Sequence, residues 1–512
     1  MGRGGWIFLN LTVKTPVLHW SARDGRAPRD ETGGVGELAR DVLPVYVATR
    51  LFFVAFTLCI TWWRHATGAA PLRLDGHLGT HTIFDAWNRY DTLWYDDLAR
   101  FGYNLHGPRD YKNVAFFPLF PLLTRALYQM LAGVWPVPYL TSGILVSNAC
   151  ALGALAFLYR LVRLDDSRLV ARRAVTLLAL CPVGFYLFAA YSEGAFLLCV
   201  LGCFYALRLE RWWHAGGWGL LAAITRSPGI VLLAPFALTW ATSHPMAIRA
   251  LRVRLHSVWR AQRLLIAART LRAWRRRRPP VAPLLLRPGH AYGYTGDTKY
   301  TPRRRAAEFG HVIAPTALRR LVLRPRQWSA ETWRALRDLA PAALIPLGLG
   351  FFMVVLYRLF GDPLWFSHAQ QAWFRTFAPP WETAYLSVAR PLADVPGLRF
   401  TIDDLNAAHD LVYELVAFAL TWRAWKQAPQ AQGVYLWLVW AVILSSPAML
   451  LDSGTSLPHR DVLMSLPRLL LMMFPLIIYL ARQRRLYHPL VVSFAAVLTL
   501  YTGIFLTGGW IA

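Results

Sequence analysis

Cysteine is scarce in this 512-residue chain, and its five cysteines lack the paired spacings of a metal site or a disulfide framework. All of them lie inside apolar runs: Cys59, Cys150, Cys181, Cys199 and Cys203. We interpret them as small hydrophobic side chains.

Motifs of soluble enzymes are also lacking. The chain has no Gly-rich nucleotide loop after a strand, no Gly-x-Ser-x-Gly turn and no His-Glu-x-x-His pair. These absences argue against chemistry on soluble nucleotides.

Acidic residues are few, 28 against 55 basic ones, which gives a formal charge of +27. Most of the excess falls in residues 245–338, between apolar runs. Basic residues beside membrane spans are typical of cytoplasmic loops near anionic lipid, so nucleic acid is not the expected partner. Arginine far outnumbers lysine, which is typical of a GC-rich coding sequence and favours a bacterial source.

Apolar residues are plentiful: 56% of the chain is hydrophobic and its mean hydropathy is +0.33. Runs long enough to cross about 30 Å of hydrocarbon occur near 43–63, 139–159, 173–190, 194–209, 339–360, 408–425, 433–451, 466–482 and 488–510. Two further runs are interrupted, at Pro118 and Pro121 and at Arg226 and Pro228, which favours bent or re-entrant segments. The expected fold class is an all-α, polytopic transmembrane bundle of about 9–11 segments, with interfacial or re-entrant helices in its first outer loop.

Charge asymmetry and the parity of the crossings predict the domain organisation. We expect a cytoplasmic tail at 1–40, an N-terminal transmembrane module at 41–241, a basic and poorly ordered cytoplasmic loop at 242–338, and a C-terminal module at 339–512. The outer face then comprises 64–138, 191–194, 361–407 and 452–465. The chain is expected to be an integral membrane protein, with the bacterial plasma membrane as its location.

The stretch "WNRYDTLWYDDLARFGYN", residues 87–104, places an acid among aromatic residues. On a continuous helix one narrow stripe holds Trp87, Tyr90, Asp91, Trp94 and Leu98. Asp96, Arg89 and Arg100 point the other way. An interfacial carboxylate is a functional candidate, so Asp91 is a candidate general base. The structural alternative is an ordinary amphipathic helix whose Asp91 pairs with an arginine.

Three further charged residues lie in apolar surroundings. Arg226 interrupts "LAAITRSPGIVLLAP", where it could bind a phosphate or cap carbonyl groups freed at Pro228. Arg468 begins the apolar helix of "SLPRLLLMMFPL" and could instead extend to the membrane interface. Glu193 follows Ser192 in "AAYSEGAFLL", where helix capping explains it as well as substrate binding does.

The outer segment "DSGTSLPHRD" adds Asp452, His459 and Asp461, which are weak indicators of a metal, and no metal or other cofactor is expected. An outer-face acid, a buried arginine and aromatic interface helices together suit a lipid-linked substrate that carries a phosphate at the membrane surface.

The motifs resemble a known family. The stretch at 87–104 followed by "NVAFFPLFPLLTRAL", and then "YSEGAFLL", "LAAITRSPGIVLLAP", "GDPLWFSHAQQAW" and "SLPRLLLMMFPL", resemble in order the class V phosphatidylinositol-glycan mannosyltransferases, called PIG-V, and their bacterial relatives. The resemblance runs from about 45 to 482. It implies the GT-C superfamily of polytopic, inverting glycosyltransferases that use polyprenyl- or dolichyl-phosphate sugars as donors.

The resemblance places the family's outer-loop Asp on Asp91, its Ser-Glu turn on Ser192 and Glu193, its Thr-Arg break on Thr225 and Arg226, and its Pro-Arg helix start on Pro467 and Arg468. Tyr90 stands where tryptophan is commoner, and Ser227 separates Arg226 from Pro228. These departures leave the reaction class intact and put the acceptor in doubt.

The implied reaction transfers a hexose, expected to be mannose, from a polyprenyl-phosphate carrier to a hydroxyl of a lipid-linked or glycan acceptor on the outer face. Asp91 would be the general base, and Arg226 or Arg468 would bind the donor phosphate. The residues expected to contact substrate are Tyr90, Trp94, Tyr95, Glu193, His368, Gln370 and His459. Besides these substrates the expected partners are membrane lipids. The alternative function is a lipid or solute transporter or flippase, which the broken helices would also suit.

Overall fold

The computed structural model describes residues 34–68, 83–103, 110–135, 137–253, single positions between 256 and 270, 329–373, 375–393, 402–448 and 462–509. Two compact units are distinguished: residues 1–236 with 342–512, and residues 237–341. The central part of the expected basic loop lies outside the described residues, and so do Asp452, His459 and Asp461.

The described part of the first unit is helical. Its N-terminal half contains α1 Val35–Asp41, α2 Leu43–Ala66, α3 Asp91–Phe101, α4 Leu119–Ala132, α5 Tyr139–Arg163, α6 Arg168–Ala179, α7 Glu193–Arg208 and α8 Trp212–Thr225. Short 3-10 helices occur at Ile83–Trp87, Asp110–Ala115, Gly184–Leu187 and Ser227–Leu232. Helix α9, Leu233–Ser243, follows the last of these.

The second unit contains the end of α9 from Ala237 onward, α10 Pro245–Val253, α11 Ala330–Leu339 and the first half of a short 3-10 helix at Ala340–Ala343. Within it the Trp240 indole N–H donates to the Ala335 carbonyl at 2.6 Å. The His244 Nε2 atom lies 3.2 Å from Asp338 Oδ2. These contacts connect the two ends of the unit.

The remainder of the first unit contains α12 Leu344–Phe360, α13 Trp365–His368, α14 Pro380–Ala393, α15 Ile402–Ala424, α16 Gln430–Leu444, α17 Leu466–Leu470, α18 Phe474–Arg482 and α19 Tyr487–Leu506, with a 3-10 helix at Ala369–Trp373. Helices α5, α7, α8 and α12 pack in that order, each against the next, and form the centre of the unit. Gly194 permits a close contact between α7 and α5, because a Cβ atom would lie 2.9 Å from the Ser147 carbonyl oxygen.

Four helices of the described chain are long and apolar enough to cross a membrane: Leu43–Ala66, Tyr139–Arg163, Ala330–Phe360 and Tyr487–Leu506. The all-α, polytopic membrane fold is thus confirmed. Several other expected spans are shorter or broken. The run at 173–190 ends its α-helix at Ala179, before Pro182, and the run at 466–482 is divided between α17 and α18 before Pro475.

The expectation of one continuous helix over 87–104 is wrong. The α-helix begins at Asp91, and Tyr90 just before it has a φ of 50°, a left-handed conformation that breaks the helical path. Trp87 belongs to the preceding 3-10 helix, where its indole N–H donates to Thr57 Oγ1 at 3.0 Å. Trp87 therefore does not share a helical stripe with Asp91.

Asp96 points away from Asp91, five residues further along α3, but it does not face solvent. Its carboxylate is buried and accepts a 2.6 Å hydrogen bond from Arg100 Nε, one turn later. An ion pair makes the burial of this acid tolerable.

Candidate active site

Asp91 is the first residue of α3, where a carboxylate is favoured by the exposed N–H groups of the first turn. The turn at Arg89 and Tyr90, just before Asp91, is held by two hydrogen bonds from tyrosine hydroxyl groups. The Tyr90 hydroxyl donates to the Gly508 carbonyl at 2.8 Å, and the Tyr191 hydroxyl donates to the Arg89 carbonyl at 3.2 Å. The position of Asp91 is thus set by contacts with the segments before α7 and after α19.

Arg226 lies at the break that the sequence predicts. Helix α8 ends at Thr225, Arg226 is extended with φ −157° and ψ 147°, and the chain continues as the 3-10 helix Ser227–Leu232. Gly229 is required at this turn, since a Cβ atom there would lie 2.4 Å from the backbone carbon of Ala222.

Four charged side chains meet in one chain of ion pairs, which we call the Asp91 cluster: Asp91, Arg468, Glu193 and Arg226. Arg468 Nη1 donates to Asp91 Oδ2 at 2.5 Å, and Arg468 Nε donates to Glu193 Oε1 at 2.5 Å. The same Glu193 oxygen accepts a hydrogen bond from Arg226 Nη1. Acids and bases alternate, so the cluster is formally neutral.

Tyrosine rings surround the cluster. The Arg468 guanidinium lies 5.1 Å from the Tyr186 ring centre and 4.8 Å from that of Tyr191, within the range of cation–π contact. The Tyr95 hydroxyl donates to Ser192 Oγ at 2.6 Å. These rings shield the ion pairs from solvent, which strengthens their electrostatic interaction.

The geometry decides between several alternatives left by the sequence. Ser192 makes no side-chain cap to α7, and its hydroxyl accepts from Tyr95 instead. Arg468 is buried, so the explanation that it extends to the membrane interface is wrong. Arg226 has a carboxylate partner in Glu193. Asp91 does have an arginine partner, as its structural alternative required, but it also lines a large cavity.

That cavity has a volume of about 1800 Å³. The expected site residues that line it are Tyr90, Asp91, Trp94, Tyr95, Arg226, His368, Gln370 and Arg468. Glu193 was expected to contact substrate, but it does not line this cavity; it is buried behind the two arginines that it binds. His459 lies outside the described residues.

Sequence reasoning missed three arginines that line the cavity: Arg64, Arg89 and Arg375. With Arg226 and Arg468 they make five guanidinium groups, against Asp91 as the one carboxylate among the described lining residues. The expectation that Arg89 points away from Asp91 on a shared helix is wrong, because Arg89 precedes α3 and lines the cavity. Arg64 lies in the last turn of α2, directly after an apolar run, as many interfacial arginines do. The cavity is therefore electropositive and suits an anionic ligand.

The cavity wall is also amphipathic. Trp94 stacks on Phe116 with ring centres 6.0 Å apart and contacts Trp373 edge-on at 5.8 Å. Another part of the lining contains aliphatic side chains: Val231, Leu438, Val442, Leu469 and Met472. One ligand could place a polar, charged head near the arginines and an apolar chain against the aliphatic residues.

Comparisons with known proteins identify one family. Residues 64–258 match the family model described as mannosyltransferase (PIG-V). The matched segment includes Asp91, Glu193 and Arg226 and ends before Arg468. No curated protein and no solved structure matches the chain. The family match agrees with the motifs and with the all-α membrane fold, and it supports a PIG-V-like mannosyltransferase, which is a membrane glycosyltransferase.

Proposed function

We propose that this enzyme transfers mannose from a polyprenyl-phosphate donor to a hydroxyl group of a lipid-linked or glycan acceptor, on the outer face of a bacterial plasma membrane and with inversion at the anomeric carbon. The observation that carries the proposal is Asp91 at the wall of an electropositive cavity, in contact with Arg468. A carboxylate and guanidinium groups are what proton removal and phosphate departure require.

Asp91 is the general base in this scheme. Its Oδ2 atom is held by Arg468, which fixes the orientation of the carboxylate, and we assign proton removal to Oδ1. The acceptor oxygen forms a bond to the anomeric carbon as its proton passes to Asp91. The bond between that carbon and the phosphate oxygen breaks, and polyprenyl phosphate leaves with one more negative charge.

The Asp91 cluster supplies the matching change of charge. Before the reaction its two acids and two arginines balance. When Asp91 takes the proton, the cluster gains one positive charge as the leaving phosphate gains a negative one. Charge that develops beside a prearranged guanidinium in a shielded site is strongly stabilised.

Inversion favours Arg226 as the main ligand of the phosphate. The base and the leaving group must lie on opposite faces of the sugar, so the phosphate cannot occupy the space immediately beside Asp91. Arg226 is separated from Asp91 by Arg468 and Glu193. Arg468 then orients the base and contributes positive charge between the two ends.

Other lining residues provide binding surfaces. Trp94 and its aromatic neighbours offer flat apolar faces to a sugar ring. Tyr90, just before Asp91, and Tyr95, one turn after it, also line the cavity. His368, whose Nδ1 atom lies 2.7 Å from Asp362 Oδ2, and Gln370 offer polar groups to an acceptor. Glu193 holds Arg226 and Arg468 and does not itself contact the substrate.

The test compares two isosteric substitutions on the same helix, Asp91→Asn and Asp96→Asn. Both remove a carboxylate that binds an arginine, but neither Asp96 nor Arg100 lines the cavity. Transfer of labelled mannose from polyprenyl-phosphate mannose into membrane acceptors is measured for purified, folded protein in native membrane lipids. We expect Asp91→Asn to lose about 10²–10⁴-fold in rate, as loss of a general base requires.

Asp96→Asn should stay within about threefold of wild type, because it changes stability and not the reaction. Asp91→Asn within the same factor of wild type would reject Asp91 as the base.

A further inference from the structure

The helix that carries Arg468 is too short to fix the position of this side chain by itself. Helix α17 has five residues, and Ser465 before it is left-handed with φ 70° and ψ 23°. Single helical turns have little stability of their own, and non-glycine residues rarely adopt this backbone conformation. Contacts from other elements must therefore hold the start of α17.

Arg375 makes one such set of contacts. Its Nη1 atom donates to the Ser446 carbonyl at 2.7 Å, and its Nη2 atom donates to the Met464 carbonyl at 2.5 Å. Ser446 lies just after α16, and Met464 lies four residues before Arg468. One rigid guanidinium thus joins two chain segments beside the cavity.

Asp410, on α15, approaches the same segment with the opposite charge. Its carboxylate is buried, and Oδ2 lies 3.4 Å from the backbone nitrogen of Leu466, the first residue of α17. That N–H also donates to the Leu463 carbonyl at 2.8 Å, so it is shared.

Hydrogen bonds from neighbouring side chains hold Asp410 in place. His409 Nδ1 lies 2.8 Å from Asp410 Oδ1, and His409 Nε2 is hydrogen-bonded to the Tyr501 hydroxyl of α19. The Tyr413 hydroxyl lies 3.3 Å from that of Tyr501. Ionisable groups buried in a membrane protein are expensive, which favours a function for this network.

We propose that Arg375 and Asp410 are positioning residues for Arg468, and that they hold the segment Met464–Leu466 between them. This inference rests on the proposed function in one respect, the role of Arg468 beside the reacting groups. If the start of α17 is loosened, Arg468 no longer meets Asp91 and Glu193 in the geometry that the transition state needs. The loss then falls on kcat more than on the donor KM.

The experiment uses Asp410→Asn and Arg375→Lys in the full-length enzyme, with Glu414→Gln as the matched control. Glu414 is a buried acid one turn after Asp410 on α15, and it does not line the cavity. Rates are measured with polyprenyl-phosphate mannose, together with the thermal unfolding midpoint. We expect kcat to fall by roughly 10–100-fold for the two positioning variants with the donor KM changed by less than about twofold, since small misplacements of reacting groups have effects of this size.

Glu414→Gln should lower the unfolding midpoint without this fall in kcat. An equal loss of kcat in Glu414→Gln at equal loss of stability, or a rise in KM at unchanged kcat, overturns the proposal. If Asp410→Asn does not fold, Arg375→Lys alone decides by the same criteria.

A second measurement repeats Asp410→Asn in an Arg468→Lys background. Residues that act through one another are not additive, so Asp410→Asn should then change the rate by less than about threefold. The same fold-loss in both backgrounds contradicts the proposal. Failure of this inference can be told apart from failure of the proposed function. The comparison of Asp410→Asn in the two backgrounds requires only that the enzyme transfers mannose, whereas the role of Asp91 is tested separately by Asp91→Asn.

Discussion

Two clusters of ion pairs in the first unit, each with arginines around a buried acid, are chemically alike and differ in what lies beside them. In the first, the Asp41 cluster, Arg168 binds Asp41 with hydrogen bonds of 2.6 and 2.9 Å, and the Tyr159 hydroxyl lies within 2.6 Å of Asp41 and 2.5 Å of Glu37. Arg163 completes it at 3.1 Å from Glu37. In the Asp91 cluster the hydrogen bonds from Arg468 to Asp91 and Glu193 are equally short, at 2.5 Å each.

The difference is the cavity. None of the residues of the Asp41 cluster lines the 1800 Å³ space, whereas Asp91, Arg226 and Arg468 all do. A buried ion pair is weak evidence for function on its own, since many such pairs only connect helices. Access for a ligand, and not the presence of ion pairs, therefore distinguishes the candidate active site from a structural contact.

The largest expected effect comes from Arg468→Gln compared with Arg168→Gln. Arg468→Gln leaves the buried Glu193 and the partly buried Asp91 without their shared partner, which should destabilise the protein by about 3–5 kcal/mol and abolish measurable transfer. Arg168→Gln also removes a guanidinium from a buried acid, but it should leave the transfer rate per folded molecule unchanged. Unfolding midpoints and initial rates in detergent check both. Equal loss of activity in the two variants would erase the distinction between the clusters.

Arg226→Gln should have the next largest effect. Glu193 keeps Arg468 as a partner in this variant, so folding is largely retained, while the phosphate loses its main ligand. We expect the rate to fall by about 10²–10³-fold, as when one donor to a developing negative charge is removed. Arg208→Gln, which removes the partner of Asp165 away from the cavity, is the control. A wild-type rate for Arg226→Gln would mean that the phosphate binds elsewhere.

His368→Ala should have a smaller effect, confined to substrate binding. Its imidazole is half exposed and lies at the cavity wall, so it can contribute at most one polar contact to the acceptor. Loss of one such contact amounts to about 0.5–1.5 kcal/mol, or roughly a 2–12-fold rise in KM. A fall in kcat with unchanged KM would place His368 among the reacting groups instead.

The smallest effect on catalysis is expected from acid acting on the Asp41 cluster. Hydrogen bonds from Arg168 lower the pKa of Asp41 to about 2, from an ordinary value of 3.8. Since the folded-state pKa is depressed, Asp41 stabilises the fold above about pH 4, and this contribution is lost as the pH falls toward 2. The unfolding midpoint should therefore drop between pH 5 and pH 3, and it should drop less in Asp41→Asn. An identical drop in the variant would exclude Asp41 as a source of this pH dependence.

Local sequence features predicted part of the site. Arg226 was recognisable because an arginine in the middle of an apolar run is costly and Pro228 breaks the helix there. Asp91 was recognisable as an acid among aromatic residues, although Trp87 does not share a helical stripe with it. The left-handed turn at Tyr90 depends on distant contacts with Gly508 and Tyr191, which no local pattern contains.

Other features could not be read locally because they are tertiary. The pairing of Asp91 with Arg468 joins residues 377 positions apart, and Glu193 with Arg468 joins residues 275 apart. Arg375 has no distinguishing local sequence pattern, and its two carbonyl acceptors, Ser446 and Met464, lie on distant segments. The helix breaks near Pro182 and Pro475 fall inside apolar runs long enough to span a membrane, so the length of the run alone does not reveal them.

The most direct test of the central claim is an experimental structure of the enzyme with a non-transferable analogue of polyprenyl-phosphate mannose. We expect the phosphate within hydrogen-bonding distance of Arg226 and the anomeric carbon facing Asp91 across the cavity. A phosphate held by Arg64 or Arg89, with the sugar turned away from Asp91, would contradict it.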